Sequence, residues 1–162
     1  MAKIAKNNIS KKYEGMPTGI ILLIVFFSIG LFLTLKNLIY PYFQIGPYLT
    51  KTWAAVPFIV AIGIAQIFII YALIKRKNWG WRFILWYNAS LILLELINSV
   101  FIYINPDLLV SQFLKLSEVD SLFYIQYLSL VKHIAIFLFV TEAFIRGLII
   151  AYIYKKKYYF TK

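Results

Sequence analysis

Residues 53–104 read WAAVPFIVAIGIAQIFIIYALIKRKNWGWRFILWYNASLILLELINSVFIYI. Two apolar runs, Trp53 to Ile74 and Phe83 to Ile104, flank the basic, aromatic block Lys75-Arg76-Lys77-Asn78-Trp79-Gly80-Trp81-Arg82. Each run is close to the ~20 residues that an α-helix needs to cross a bilayer core of ~30 Å. A short basic link between two such runs predicts a helical hairpin in a membrane. Lys and Arg concentrate in loops on the cytoplasmic side, and Trp gathers at the interfaces.

The same pattern extends outward. Pro17 to Leu35 is a third apolar run and His133 to Tyr154 a fourth, with apolar residues continuing back to Leu122 and leaving an earlier start open. Pro17 suits a helix start, where its missing N–H costs nothing. The run after the basic N-terminus is longer than a signal-peptide core, and Leu35-Lys36-Asn37 is no small-residue cleavage site. It is therefore expected to stay as helix 1. The expected organisation is one membrane domain: a basic tail (1–16), helix 1 (17–35), helix 2 (53–74), helix 3 (83–104), an amphipathic extracytoplasmic segment (105–132), helix 4 (133–154) and a basic tail (155–162). Residues 36–52, with Pro41, Gly46 and Pro47 among Tyr and Phe, are expected to form an aromatic interfacial loop. Asn105-Pro106-Asp107 carries helix-start signals, and Leu109, Phe113 and Leu116 recur at helical spacing. One or two helices lying on the membrane are expected there.

Composition agrees. The 162 residues are 62% hydrophobic and only 14% charged, against about a quarter charged in soluble domains. Such a chain cannot cover a surface that faces water. The fold class is an all-α, four-helix, up-down-up-down membrane bundle. The chain has no cysteine and one histidine, which excludes disulfides, thiol chemistry and a His-rich metal site. No cofactor is implied. The net charge of +11 would suggest nucleic acid in a soluble protein. Here the cations flank apolar runs, so Lys75, Arg76, Lys77, Trp79, Trp81 and Arg82, with Lys155, Lys156 and Lys157, are topology signals and anchors for anionic headgroups.

Counting cations sets the orientation. The two tails and the helix 2–3 link hold twelve Lys and Arg, whereas the opposite loops hold four: Lys36, Lys51, Lys115 and Lys132. Both termini are expected in the cytoplasm, and the protein in the cell membrane. Asp107, Glu118 and Asp120 fall on the other side. No internal repeat is evident.

Three ionisable residues lie well inside the spans: Glu95, Glu142 and Arg146. Such groups are costly in hydrocarbon and face a partner or a cavity. Asn88, Glu95 and Asn98 share one face of helix 3. Glu142 and Arg146, four apart, can pair on helix 4. Gln66 on helix 2 lies at similar depth. These six residues form an expected mid-membrane polar cluster. Two acids against one arginine leave one negative charge uncompensated, which a proton on Glu95 would neutralise. The plainest reading is structural, fixing helix register, with interhelical hydrogen bonds contributing about 0.6 kcal/mol each. The sharper reading is a proton or ion site. Ala143, Gly147 and Ala151 on helix 4, and Ala61 and Ala65 on helix 2, are small-residue steps suited to packing within the bundle or to a dimer face. His133, at a span boundary, is expected at the interface.

Met16-Pro17-Thr18-Gly19-Ile20-Ile21-Leu22, Lys77-Asn78-Trp79-Gly80-Trp81, and the ending from Tyr152-Ile153-Tyr154-Lys155 to Tyr159-Phe160 resemble stretches in a broad group of small, uncharacterised four-helix membrane proteins of archaea and bacteria. The resemblance implies the four-helix fold and no particular activity. It does not extend to residues 105–132 or to the mid-membrane acids.

The first functional expectation is a non-enzymatic accessory or structural membrane protein. It would act through lipids, a second copy or another membrane protein, and not through nucleic acid. The second is a small oligomeric transporter or channel subunit using Glu95, Glu142 and Arg146. A lipid-modifying enzyme comes third. Gly-rich phosphate loops and nucleophile–base motifs are missing from the sequence.

Overall fold

The computed structural model describes residues 16–39, 41–45, 48–106 and 121–160. Four long helices dominate it: α1 (Thr18–Lys36), α2 (Val56–Lys75), α3 (Asn78–Ile104) and α4 (Ser121–Lys155). Each contains a stretch long and apolar enough to cross a membrane. Large apolar side chains such as Phe32, Leu93, Phe137 and Phe144 are exposed on the outer faces. Water would penalise that surface, and lipid would not. The chain is a helical membrane bundle.

Helix ends depart from the hydropathy pattern in a consistent direction. The basic block is mostly helical. Only Arg76 and Lys77 lie outside the two helices, with Arg76 in the left-handed region (φ 52°, ψ 39°) and Lys77 extended. Trp79, Trp81 and Arg82 sit in the first turns of α3, which begins before the expected Phe83. α4 likewise begins at Ser121 and not at His133. No proline or glycine interrupts residues 121–132, and polar residues in a helix outside hydrocarbon cost little. Asn105 ends α3, its N–H bonded to the Phe101 carbonyl at 2.8 Å, and Pro106 is helical again, in line with the helix start read at Asn105-Pro106, while Asp107 lies outside the described residues. The expected amphipathic pattern at Leu109, Phe113 and Leu116 lies outside the described residues, as do the tail 1–15 and residues 161–162.

Two further elements replace expected irregular chain. The loop between helices 1 and 2 contains an antiparallel pair, β1 (Tyr42–Ile45) and β2 (Tyr48–Lys51), with Phe43 opposite Thr50 and Gln44 opposite Leu49. A 3-10 turn (Thr52–Ala55) leads from it into α2. The C-terminal tail, expected as a basic extension, makes a 3-10 turn (Lys157–Phe160) that folds back onto the bundle. Phe160 is 1% exposed, and the Tyr159 hydroxyl donates to the Leu73 carbonyl at 3.0 Å. Arg76 lies over the Tyr159 ring, 4.8 Å from its centroid.

The helices pack chiefly in two pairs, α1 with α2 and α3 with α4, joined by contacts between α2 and α3. All four meet at one end. The core there comprises Ile20, Leu23 and Phe27 of α1, Ile69 and Leu73 of α2, Ile84 of α3, Ile149 and Ile153 of α4, and the Tyr159–Phe160 turn. Gly80 allows a close approach of α2 to α3: a Cβ at this position would lie 2.6 Å from that of Ala72 and 3.4 Å from the Phe160 ring. Away from this end the pairs leave space between them.

Candidate solute-binding cleft

The polar cluster is built from the packing of α3 on α4. Arg146 Nε donates to Glu142 Oε1 at 2.7 Å, and a terminal nitrogen reaches the same oxygen. The pair spans one turn, as their spacing requires. The other terminal nitrogen donates to Asn88 Oδ1 on α3 at 3.3 Å. Asn88 is fully buried and donates in turn to the Ile84 carbonyl at 2.8 Å. The arginine thus ties the two helices together and neutralises Glu142.

The α1–α2 pair has its own polar contact. The Thr34 hydroxyl lies 2.9 Å from the Gly30 carbonyl and 3.1 Å from Gln66 Oε1, and shares its proton between them. Gly30 is open because Gln66 needs the room: a Cβ there would lie 3.2 Å from its Nε2. Tyr87 of α3 is the bridge between the groups, within reach of Gln66 and of the charges on Glu142 and Arg146. Gln66 therefore approaches the cluster through Tyr87, and makes no hydrogen bond to the ion pair among the described residues.

Glu95 stands apart. It feels the charges of Glu142 and Arg146, but its carboxyl makes no hydrogen bond among the described residues. It lines a cleft of about 470 Å³ between the helix pairs. Thr34, Asn37, Gln44, Asn98 and Ser99 line the same cleft, beside the apolar Ile59, Ile62, Leu94 and Leu138. The β-hairpin supplies one wall. The Gln44 carbonyl accepts from Asn98 Nδ2 at 3.3 Å, and the Phe43 ring stacks on Phe58 with centroids 4.8 Å apart. Ser99, largely buried, donates to the Ala135 carbonyl of α4 at 3.5 Å.

Of the six expected cluster residues, Asn88, Glu142 and Arg146 are in direct contact, Gln66 is linked through Tyr87, and Glu95 and Asn98 face the cleft. Sequence reasoning missed Thr34, Asn37, Gln44, Tyr87 and Ser99. Single hydroxyls and amides near span ends carry little signal. Tyr87 and Ser99 do adjoin Asn88 and Asn98 in sequence.

The basic anchors sit among aromatic rings: Lys77 lies 5.9 Å from the Tyr71 centroid, Arg82 5.2 Å from Trp81 and Lys157 5.3 Å from Tyr154. Lys75, Lys155 and Lys156 are exposed, and Trp79 packs edge-on against Phe68 and Phe83. The expected small-residue steps are not part of the buried core, which leaves the dimer-face alternative open. Ala61 is exposed and Ala65 half-buried, while the α1–α2 crossing passes through Gly30 and Gly63. On α4, Ala143 is half-buried and Ala151 exposed, and a Cβ at Gly147 would meet no atom within 4 Å among the described residues. His133 is exposed, its Nδ1 2.7 Å from the Ser129 carbonyl. Among the described residues no three His, Cys, Asp or Glu gather as metal ligands.

Compared with family models, curated proteins and solved structures, the chain matches none.

Proposed function

We propose that this is a multi-pass protein of the cell membrane that binds a small solute in the cleft beside Glu95, as a transporter or channel subunit. The observation that carries the reading is the cleft itself. A carboxyl within a span, without a hydrogen-bond partner among the described residues, borders a polar-lined space at the depth of a neutralised ion pair. A cluster that served only helix register would be expected to satisfy its groups internally, as Arg146 does. A pocket with a few convergent polar groups in an apolar wall is the usual form of a small-molecule site. Amides, hydroxyls and one carboxyl suit binding and proton exchange, and we assign the cleft no catalytic step.

An up-down-up-down arrangement with both termini in the cytoplasm fits this reading. From Asn88 to Ser99 is eleven residues along α3, and their partners Arg146 and Ala135 lie eleven residues apart in the reverse order on α4. The core also draws on the starts of α1 and α3 and the ends of α2 and α4. The excess of cations lies at that end.

Flux through reconstituted vesicles tests the proposal. Proteoliposomes enclosing a pH-reporting dye should dissipate an imposed pH gradient faster than empty ones. Glu95→Gln should remove the difference while yield and helix content stay normal. If Glu95→Gln fails to insert, the cluster belongs to the fold. The groups facing Glu95 across the packed helices are Glu142 and Arg146, so Glu142→Gln is the control for a neighbouring charge.

A second reading, an accessory protein acting through helix contacts, is favoured by Gly147. It leaves a notch on the outer face of α4 between the exposed Phe144 and Leu148. Gly147→Leu would abolish co-purification of a partner under that reading and leave flux intact under the first.

A further inference from the structure

We infer that the cleft takes a small organic cation, with Glu95 as its counter-ion. The inference rests on the solute-binding reading and names the class of solute.

Charge sets the sign. Arg146 bonds Glu142 directly and reaches Asn88 with its remaining terminal nitrogen, so both charges of that pair are answered. Glu95 carries the acid left over. An anionic solute would meet like charge at close range in a poorly screening environment. A neutral solute would leave Glu95 to be neutralised by a proton alone, whereas a cation pairs with its ionised form and exchanges with that proton.

Size and lining separate organic from inorganic cations. A volume of about 470 Å³ is that of a small-molecule pocket, within the usual ~300–1,000 Å³. Hard metal cations need about six to eight oxygens close around them, whereas among the described residues this cleft offers a single carboxylate with scattered amides and hydroxyls. Ile59, Ile62, Leu94 and Leu138 form much of the rest of the wall. They offer nothing to a hydrated ion, and they suit the hydrocarbon part of an amine or quaternary ammonium. Phe43 adds a ring, held by its stacking on Phe58. Aromatic faces attract cations within ~6 Å of the centroid, and quaternary ammonium groups are the familiar case.

The absence of cysteine from the chain makes protection from alkylation a clean assay. Leu94 lines the cleft next to the acid. The full chain carrying Leu94→Cys, in nanodiscs, would be labelled with a water-soluble maleimide. Three probes share one ring and differ in charge: benzyltrimethylammonium, benzyl alcohol and benzoate. The expected result is that saturating benzyltrimethylammonium slows labelling at least tenfold, while the other two leave the rate unchanged. Adding Glu95→Gln should abolish protection, and Glu95→Asp should retain it. Equal protection by benzyl alcohol, or protection that survives Glu95→Gln, would overturn the cation assignment and leave the solute-binding reading standing. No protection by any probe also overturns it. In that case Glu95-dependent flux in the dye assay tells whether the cleft reading survives, and loss of both rejects the two together.

Discussion

Arg146 is the residue on which most of the polar geometry depends. It bonds an acid one turn away on its own helix and an amide on the neighbouring one. The pair is only partly buried, but removing Arg146 would still leave a carboxylate uncompensated within an apolar span, which is costly in hydrocarbon. Arg146→Met is therefore expected to lower the unfolding midpoint sharply in a denaturant titration in detergent. Arg146→Met with Glu142→Gln should recover much of the loss, because no lone charge remains. If the double variant is no better than the single one, the geometric role of Arg146 outweighs its charge. The ionisable members of this cluster were legible in the sequence because a charge inside an apolar run has few bland explanations. Tyr87 and Thr34 were not. A tyrosine or threonine in a span is ordinary, and only the approach of α1 and α2 to α3 gives these two a polar role.

Helix existence was legible at the scale of elements, and helix limits were not. Hydropathy marks where hydrocarbon begins. A helix ends where its backbone finds another hydrogen-bonding arrangement. α3 starts at Asn78 and α4 at Ser121 for that reason, both before the apolar runs expected at Phe83 and His133. The C-terminal turn was hidden because Lys155-Lys156-Lys157 reads as a solvated tail. The buried Phe160 instead closes the end of the core. Phe160→Ala is expected to cost about 3–5 kcal/mol, the usual loss for deleting a buried ring, read as a fall in thermal midpoint. Gly80→Ala forces a methyl against the short Ala72 side chain, which cannot swing aside. Overpacking of this kind costs about 1–3 kcal/mol. Gly80→Ala with Ala72→Gly should restore the wild-type midpoint. A full-strength Gly80→Ala single variant would show that α2 and α3 separate without penalty.

The placement of apolar runs between basic flanks was enough to read four spans in the whole molecule, but not how they pair. Nothing in the periodicity says that α1–α2 and α3–α4 close together at one end and part at the other, because every helix is apolar on several faces. The division follows from small details: Gly30 and Gly63 inside the first pair, and Arg146 and Ser99 inside the second. Orientation is a prediction at this scale. The cation asymmetry places Asn78 on the cytoplasmic side and Asn105 on the other. In intact cells an impermeant maleimide should label Asn105→Cys at once and Asn78→Cys only after permeabilisation. The reverse pattern would invert the topology.

A solute-binding role requires the space beside Glu95 to be an aqueous, ligand-accessible cleft and not a lipid-filled gap. Leu93 and Leu94 are adjacent on α3 at nearly the same depth. Leu94 lines the cleft, whereas Leu93 is exposed on the outer face. The most direct measurement compares the rates at which a water-soluble maleimide labels Leu94→Cys and Leu93→Cys in nanodiscs. Thiolate forms, and therefore reacts, far faster where water reaches. Leu94→Cys is expected to be labelled at least ten times faster. Equal rates, or faster labelling of Leu93→Cys, would contradict it.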